Sequence, residues 1–520
     1  MGRLGLALGL LACCFARPAR ADDSHYQNQL IGERALGLGG AFTAVSTDPT
    51  ASYYNPGGLA TTLSASISAS LNLYGIEYRK VSDGFVSYIT GDRATADLEA
   101  TSYPTVPTTF GVLRTFGETF ADGSRRHAVA FSMLIPDQST ISYSATIGRS
   151  GETDLDVFRL SESDRTLWAG PSYAIRVSDD LALGISAFMV MRNWSRSYSR
   201  ALETPTTPPG ELPTSDYFEF DRVDASLDTY ELLFRIGALY RPLPNFSVGL
   251  TLGLPSIHIY GDAALSNEFS YAWFDPPPEY GDFRMDSVSG RSGQTFEPLE
   301  IRTGLAWVPT KDMLVALDVS YHMPTLSPYE RVHLWQEDRA RVWFDDLFDE
   351  QIDRRGVLNI NVGWEWLVAE SWPLRAGLFT NFSAAQALRP NQPGLERVDI
   401  YGVTLSVGYN FAAFAVNVGF LGSVGWGTAQ AFNVAGDGPA FLERDAQYGC
   451  FYFFLSGAQR IVTETLEKWI KASAESAPTP PPEPPAAGAT GPENAAEPEP
   501  EIAPGTGPPA AEAAPPADQG

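Results

Sequence analysis

The sequence predicts an all-β fold: a fourteen-stranded antiparallel transmembrane β-barrel with an N-terminal hatch, or plug, in its lumen. Two observations predict it, a period of two in the hydrophobicity of many segments and an alternation of short and long connections between them. Because successive side chains of a strand point to opposite faces, this period gives a strand one apolar and one polar face. In a membrane barrel the apolar face contacts lipid and the small polar face lines the lumen. The period is clearest in 246–254, 313–323, 357–367 and 401–409.

The same pattern recurs along the chain, and the connections between the predicted strands sort by length. Short ones such as Ser178–Asp180 and Asn410–Phe411 alternate with long ones such as 200–226 and 325–355. An up-and-down barrel with short periplasmic turns and long outer loops has this rhythm, with both termini periplasmic. A soluble β-sandwich, the competing fold, gives no reason for it. The predicted strands span 64–78, 105–116, 125–136, 165–177, 181–199, 227–241, 245–260, 297–308, 312–324, 356–368, 371–383, 397–410, 412–423 and 446–458.

Composition agrees with a barrel and limits the partners. Hydrophobic residues make up 44% of the chain and aromatic residues 12%, and the mean hydropathy is -0.12, as expected when lumen and loop residues dilute an apolar outer face. The formal net charge of -26 argues against a nucleic-acid partner. The expected partners are outer-membrane lipid, lipopolysaccharide and a hydrophobic small-molecule ligand, bound by a monomer.

Several segments lie outside the predicted barrel of residues 64–460. Residues 1–21 have the basic start, apolar run and Ala19-Arg20-Ala21 ending of a signal peptide. Residues 22–63 are the predicted hatch domain and 461–474 an amphipathic helix. The Pro/Ala/Glu-rich residues 475–520 predict a disordered periplasmic tail. The tail either contacts a periplasmic partner, whose identity is unknown, or is an inert extension.

The segment before the first strand is rich in glycine. Gly32, Gly37, Gly39 and Gly40 permit close packing of backbone against backbone. Further on, Asp48-Pro49 suits the start of a short helix, which the run from Asn55 to Gly58 would end. In that run we expect a rigid turn in which Gly57 has a positive φ.

These residues carry a family resemblance. The runs 32–45 and 48–60 resemble the hatch of the outer-membrane long-chain fatty acid and hydrocarbon transporters of the FadL/TodX type, which reads G-x-R-A-x-G-M-G-G-A-F and then D-P-S-A-x-x-x-N-P-A-G-L. The chain departs from this pattern at Leu38, where the family has Met, and at Gly57, where it has Ala. The resemblance is specific over 30–63 and only architectural over the barrel. It assigns gating of the hatch to Gly32, Arg34, Gly39, Gly40, Phe42, Asp48, Asn55, Pro56 and Gly57.

The resemblance implies passive uptake of hydrophobic molecules across the outer membrane. In such a path outer loops capture the ligand, a pocket beside the hatch holds it, and an opening in the wall near the third strand releases it sideways. Here Pro136, which has no N–H for the ladder, either marks that opening or only ends its strand. The outer-loop aromatics either form the capture groove or pack the core of their own loop; they are Phe269, Tyr271, Trp273 and Phe274.

Two other classes of function compete with uptake. A non-transporting barrel would serve as a structural or secretion-associated scaffold through its tail, and its lumen would be filled by paired polar groups. An apolar pocket between hatch and barrel would instead favour transport. An enzyme is not expected: the five histidines are scattered, and no residue pattern predicts a nucleophile, a metal site or a cofactor. The inward-facing charges are expected to anchor the hatch; they are Arg176, Arg192, Glu231, Arg235, Asp318 and Glu365.

Overall fold

The architecture is that of a closed all-β barrel, seen in a computed structural model. The predicted signal peptide, residues 462–474 of the predicted helix and the tail lie outside the described residues. Among the described residues no helix is long and apolar enough to cross a membrane. The residues described are 24–63, 65–89, 92–103, 106–148, 155–205, 216–274, 280–325, 354–369, 371–387, 396–411, 414–434 and 441–461.

Seventeen strands lie in the described part of the chain, and all belong to one sheet. Each of the fourteen predicted strands overlaps an observed one. Their bounds are β1 Ala65–Ile89, β2 Asp92–Ser102, β3 Val106–Thr119, β4 Arg125–Gly148, β5 Leu155–Arg176, β6 Leu181–Pro205, β7 Asp216–Leu243, β8 Phe246–Gly253, β9 Ile257–Phe274, β10 Tyr280–Arg291, β11 Glu300–Thr310, β12 Met313–His322, β13 Val357–Val368, β14 Trp372–Asn381, β15 Arg397–Asn410, β16 Phe414–Asn433 and β17 Phe441–Ile461.

The sheet closes because the first and last strands pair. β1 and β17 run antiparallel from the pair Ala65–Ile461 to the pair Val81–Ala446. Most other consecutive strands also pair antiparallel, as the alternation of turn lengths predicts. Three strand positions are each divided between two segments. β2 and β3 pair with successive parts of β1, β8 and β9 with successive parts of β7, and β11 and β10 with β8 and β9.

The outer face carries the apolar side chains that the sequence assigns to lipid. One row of directly paired residues crosses five neighbouring strands from β11 to β15, and every member is exposed. Water contact with such a row is unfavourable, by about 25 cal/mol for each Å² of apolar surface. A closed wall with an apolar outer belt is the form in which β-structure spans a bilayer. The row consists of Leu305, Leu317, Val362, Leu378 and Val403.

The strands from β4 to β7 are longer than predicted, which corrects the assignment of 137–164 and 200–226 to loops, and β9 and β10 occupy most of 261–296, which corrects that loop as well. β7 alone has 28 residues, against the about 9–11 that a tilted strand needs to cross a bilayer. The alternation of buried and exposed residues continues through the extensions. There, however, the outward side chains are polar, as with Ser161 and Ser163, so the apolar face that identifies a lipid-facing strand is missing from the sequence.

The far ends of these long strands enclose an apolar core of their own. Phe158 lies at its centre, with ring centroids 4.8 Å from Phe85, 5.4 Å from Tyr198 and 4.9 Å from Phe432. We call Phe85, Phe158, Tyr198 and Phe432 the aromatic cluster. The barrel interior therefore has two halves, one filled by the aromatic cluster and its neighbours and one by residues 24–63, the N-terminal segment.

Candidate functional site

The N-terminal segment packs against inward-facing side chains from strands around the barrel. It contains two short α-helices, α1 (Glu33–Gly37) and α2 (Ala51–Tyr54), followed by a 3-10 helix (Pro56–Thr61). Ile31, Phe42 and Leu59 are fully buried. No single helix here is long enough to be stable alone, so contacts with the wall determine its structure.

A buried ion-pair network anchors the first helix. Arg34 donates to both carboxylate oxygens of Glu365, from Nε at 3.0 Å and from Nη2 at 2.8 Å. Arg375 donates to the same carboxylate at 2.6 Å and lies 3.5 Å from Glu33. Burial raises the pKa of Glu33, although the neighbouring Arg375 guanidinium opposes the shift. Two guanidinium groups thus share two carboxylates, which leaves no net charge in this part of the lumen.

The middle of the segment is held by hydrogen bonds to its backbone. The Asp318 carboxylate accepts from the N–H groups of Phe42 and Thr43, both at 2.9 Å, and from the Thr43 hydroxyl at 2.6 Å. On the other side, the Arg235 guanidinium donates to the Tyr53 carbonyl at 2.8 Å and lies over the Tyr53 ring. Asp318, Arg235 and Glu365 are therefore anchors, as predicted.

The other three predicted anchors are wrong. Arg176 binds Asp122 at the turn between β3 and β4, Arg192 binds Asp164 on the neighbouring strand, and Glu231 accepts from Thr295. All three face inward, as their strand positions require. The partners named here lie in the wall or its turns and not in the N-terminal segment.

The predicted glycines permit the close packing that the sequence suggested. Gly39 and Gly40 have positive φ values of 61° and 83°, which side chains rarely allow. A Cβ on Gly39 would lie 3.0 Å from the backbone of Gly377 in β14. Gly32, with φ of 95°, faces Thr50, whose N–H donates to the Asp48 carboxylate at 2.8 Å.

The run from Asn55 to Gly57 forms a rigid junction with the wall. The Asn55 amide donates to the carbonyls of Thr43 and Ala238, both at 2.9 Å, and its oxygen accepts from the Gly57 N–H at 3.1 Å. The expectation of a positive φ at Gly57 is wrong, because Gly57 belongs to the 3-10 helix. Glycine is required there by space: a Cβ would lie 2.9 Å from the Ala182 carbonyl oxygen.

A cavity of about 150 Å³ lies between the N-terminal segment and the aromatic cluster. His25, Asn28 and Leu30 of the N-terminal segment line one side, and Tyr198 and Phe432 of the aromatic cluster line the other. For scale, a dry protein cavity of about this volume lined by apolar side chains binds benzene. The strands contribute both charged groups, such as Glu77 and Arg79, and an apolar set that consists of Val81, Leu98, Ile141, Leu160, Ile400 and Leu421.

His25 fixes the start of the N-terminal segment at this cavity. Its Nε2 lies 2.7 Å from the Val398 carbonyl, which only accepts, so the proton is on Nε2. Nδ1 therefore accepts from the Ser24 hydroxyl at 2.7 Å. Burial lowers the pKa of His25 to about 4. The ring is consequently neutral near pH 7.

The wall is unpaired beside Pro136. In the described part of the chain, the ladder between β3 and β4 ends at Thr109–Leu134. The next pair on this side of β4 is Glu99–Ser144, formed with β2. On its other side β4 has a register shift between Leu134 and Asp137. Pro136 lies within both interruptions and lines a smaller cavity of about 40 Å³ under His25 and Asn28, while its carbonyl accepts from the Gln29 N–H at 3.1 Å.

The four predicted capture aromatics belong to β9 and not to an outer loop. The rings of Phe269 and Tyr271 lie 5.9 Å apart and are half-buried. Neither residue lines the cavity between the N-terminal segment and the aromatic cluster. The side chains of Trp273 and Phe274 lie outside what the structure describes. No group of His, Cys, Asp and Glu among the described residues is arranged to hold a metal ion.

Comparison with known proteins identifies the fold. No protein-family model and no curated protein sequence matches the chain. The crystal structure of a FadL homologue from Pseudomonas aeruginosa matches with a TM-score of 0.56 at 14% identity, over 84% of this chain and 99% of that one. The toluene transporter TodX from P. putida matches with a TM-score of 0.53 at 11% identity, over 84% and 99%. The chain has the FadL/TodX-type fold.

The family resemblance is thereby confirmed at the level of fold. Sequence reasoning did not find the residues that line the cavity between the N-terminal segment and the aromatic cluster. Glu77 and Asn381 lie on predicted strands, where the alternation of faces was the available signal, and Arg79 lies one residue beyond the predicted end of its strand. The alternation predicts that each side chain points into the lumen, but it does not predict the height along the barrel axis at which the side chain lies.

Proposed function

We propose that the protein is a passive outer-membrane channel for hydrophobic molecules. The observation that carries this proposal is the cavity between the N-terminal segment and the aromatic cluster, whose wall combines apolar side chains with charged groups that are paired to one another. The apolar outer belt supports insertion in a bilayer. The FadL/TodX-type fold supports the outer membrane as its location, with both termini periplasmic.

We propose that the wall functions as fourteen strands. β2 with β3, β8 with β9, and β10 with β11 each continue one another along a shared neighbour, so seventeen segments occupy fourteen positions. An even number places both ends of the chain on one side of the membrane. Residues 22–63 form the hatch domain and 64–460 the barrel in this proposal.

The hatch would close the lumen below the cavity. Its anchors are Asp318, Glu365 and Arg235, and its backbone lies close to the wall where Gly39 meets Gly377. A ligand that reaches the cavity from the far end therefore meets the N-terminal segment. Water or solutes would follow the same path only if the segment moved.

Release would occur sideways, through the unpaired wall beside Pro136. The cavity wall includes Ile141 of β4, and on the side of β4 that faces β2 and β3 no pair joins described residues between Leu134 and Ser144. A hydrophobic ligand can leave here toward lipid without crossing water. That exit favours molecules whose transfer from water to hydrocarbon is favourable.

A scaffold function is the second candidate. The neutral network of Arg34, Glu33, Glu365 and Arg375 has the fully paired polar character expected of a permanently closed lumen. The apolar cavity above it supports transport instead, because a scaffold needs no such space.

Uptake distinguishes the two candidates. The protein would be expressed in the outer membrane of a Gram-negative host, and entry of radiolabelled toluene and of a labelled long-chain fatty acid would be measured. Faster entry of either molecule than in cells with an empty vector supports the channel. Entry equal to the empty vector, with the barrel correctly assembled as judged by heat-modifiable migration, supports the scaffold.

A further inference from the structure

The polar groups of the cavity point to the kind of ligand it takes. Among the residues that line it, four carry carboxylates, namely Glu77, Glu162, Asp164 and Glu396. Two carry guanidinium groups, namely Arg79 and Arg196. Arg192 does not line the cavity but donates to Asp164. Even when Arg192 is counted, the carboxylates outnumber the cations.

Both guanidinium groups are committed to carboxylates of the protein. Arg79 donates to Glu77 at 2.8 Å and to Glu396 at 2.7 Å. Arg196 donates to Glu162 from Nε at 3.0 Å and from Nη2 at 2.8 Å. A ligand carboxylate would have to displace one of these partners, and the displaced carboxylate would remain in the same cavity. Such an exchange replaces one ion pair by another. It therefore provides no favourable free energy to offset the cost of removing the ligand's charge from water.

Asn381 supplies an acceptor in the wall of the same cavity. It lines the cavity, is only 2% exposed, and its Nδ2 donates to Asn28 at 3.3 Å. Its amide oxygen has no hydrogen-bond partner among the described residues. A buried acceptor without a partner is unfavourable, so a ligand that donates a hydrogen bond there would be stabilised.

We propose that the cavity binds a hydrophobic molecule whose polar end donates a hydrogen bond and carries no negative charge. Phenols and alcohols belong to this class, whereas fatty acids in their ionised form do not. The inference rests on the proposed function, since it names the ligand of that channel. It separates molecules of equal size by the charge of their polar end, because an anion adds to the excess of carboxylates in a medium of low dielectric constant.

The test compares three probes of one shape, 4-ethylphenol, ethylbenzene and 4-ethylbenzoate. Their binding to the purified full-length protein in lipid nanodiscs would be measured by equilibrium dialysis at pH 7.5, with empty nanodiscs as the reference for partitioning. At this pH a phenol is neutral and a carboxylic acid is ionised. We expect 4-ethylphenol to bind about fivefold more tightly than ethylbenzene and at least about tenfold more tightly than 4-ethylbenzoate.

Two variants assign the preference to the named groups. Asn381→Leu should reduce the affinity for 4-ethylphenol to that for ethylbenzene and leave the affinity for ethylbenzene unchanged. Asn267→Leu is the matched control, since Asn267 is also buried with an unpartnered amide oxygen but does not line the cavity. Glu77→Gln combined with Glu396→Gln leaves Arg79 without either carboxylate and should reverse the order of 4-ethylphenol and 4-ethylbenzoate.

Three results would overturn the inference. Tighter or equal binding of 4-ethylbenzoate to the unaltered protein contradicts the exclusion of anions. Equal binding of 4-ethylphenol and ethylbenzene contradicts the role of the acceptor. If none of the probes binds above empty nanodiscs, the cavity is not the ligand site. In each case the uptake measured in cells still decides, independently, whether the protein is a channel.

Discussion

The two halves of the barrel interior are closed by different chemistry. Around the N-terminal segment, directional contacts dominate, such as the two hydrogen bonds from Arg34 to Glu365 and the three that Asp318 accepts. Around Phe158, the contacts are between apolar rings. Directional contacts fix one arrangement because a buried charge without its partner is costly. Ring packing tolerates rearrangement more readily. We call these two regions the ionic half and the apolar half, although the cavity at the aromatic cluster is also lined by ion pairs such as Arg79–Glu396.

Closing the wall beside Pro136 should have the largest effect on transport. The pairs Glu99–Ser144 and Thr109–Leu134 have the same register, so Tyr103 and Thr140 would face each other if pairing continued. Both are exposed. In the double variant Tyr103→Cys with Thr140→Cys, oxidation should lower toluene uptake by at least about tenfold. The disulfide would hold the two strands about 5 Å apart, which is the spacing of paired strands, and so close the opening.

The double cysteine variant also supplies the control for the effect of the disulfide. Reduction of the disulfide should restore uptake, and each single cysteine variant should be insensitive to the oxidant. Uptake that persists in the oxidised double variant, with the disulfide verified by mass spectrometry, would place the exit elsewhere.

The second largest effect is expected from removing the central carboxylate of the ionic half. Glu365→Ala leaves the Arg34 and Arg375 guanidinium groups without it and should destabilise the N-terminal segment by about 3 kcal/mol. Hydrogen exchange of residues 32–45 should speed up while that of the strands is unchanged. The double variant Arg34→Met with Glu365→Leu removes the pair together and should cost less. Equal exchange in the single variant and the unaltered protein would show that the network does not hold the segment.

Asn55→Ala should have a moderate effect. It removes three hydrogen bonds, two to carbonyls and one from the Gly57 N–H, at a cost of about 1–3 kcal/mol. If the hatch gates the ligand path, uptake of a hydrophobic substrate should fall while the barrel assembles normally. Failure to assemble would make the motif structural, and normal uptake with faster exchange in the hatch would argue against gating. Ser52→Ala, a hatch substitution that also removes a buried hydrogen bond to the wall, is the matched control.

The smallest effect should be a dependence on pH. The pKa of His25 falls from an ordinary 6.5 to about 4 because burial disfavours the charged ring. The folded state thus gains stability that is present above pH 6.5 and is lost as the pH falls toward 4, by about 1 kcal/mol between pH 7 and 6. Burial raises the pKa of Glu33 and Asp48, which has the opposite sign. Hydrogen exchange at residues 24–30 in the protein and in His25→Gln isolates the histidine, because only the unaltered protein should show its loss; identical profiles would contradict the assignment.

The sequence predicted more of the ionic half than of the apolar half. For the ionic half, the motif from Gly32 to Gly57 predicted the close packing of backbone against backbone that Gly39 makes with Gly377, because that constraint is local. It did not predict that Glu365, 331 residues along the chain from Arg34, would be the partner. For the apolar half the prediction was weaker. Polar outer faces hid the strand extensions, so Phe269 and Tyr271 were placed in a loop.

The sequence alone determined the all-β class, the positions of the strands and the inner and outer face of each, since a period of two is written directly in neighbouring residues. It also marked the N-terminal segment as a compact glycine-rich element. Only the tertiary structure decided what meets in the lumen: the cavity between His25 and Phe432, the three wrong anchors, and the unpaired wall beside Pro136. Each depends on the level at which distant strands face one another. The closure of β1 against β17 and the resulting register fix that level, which no local pattern encodes.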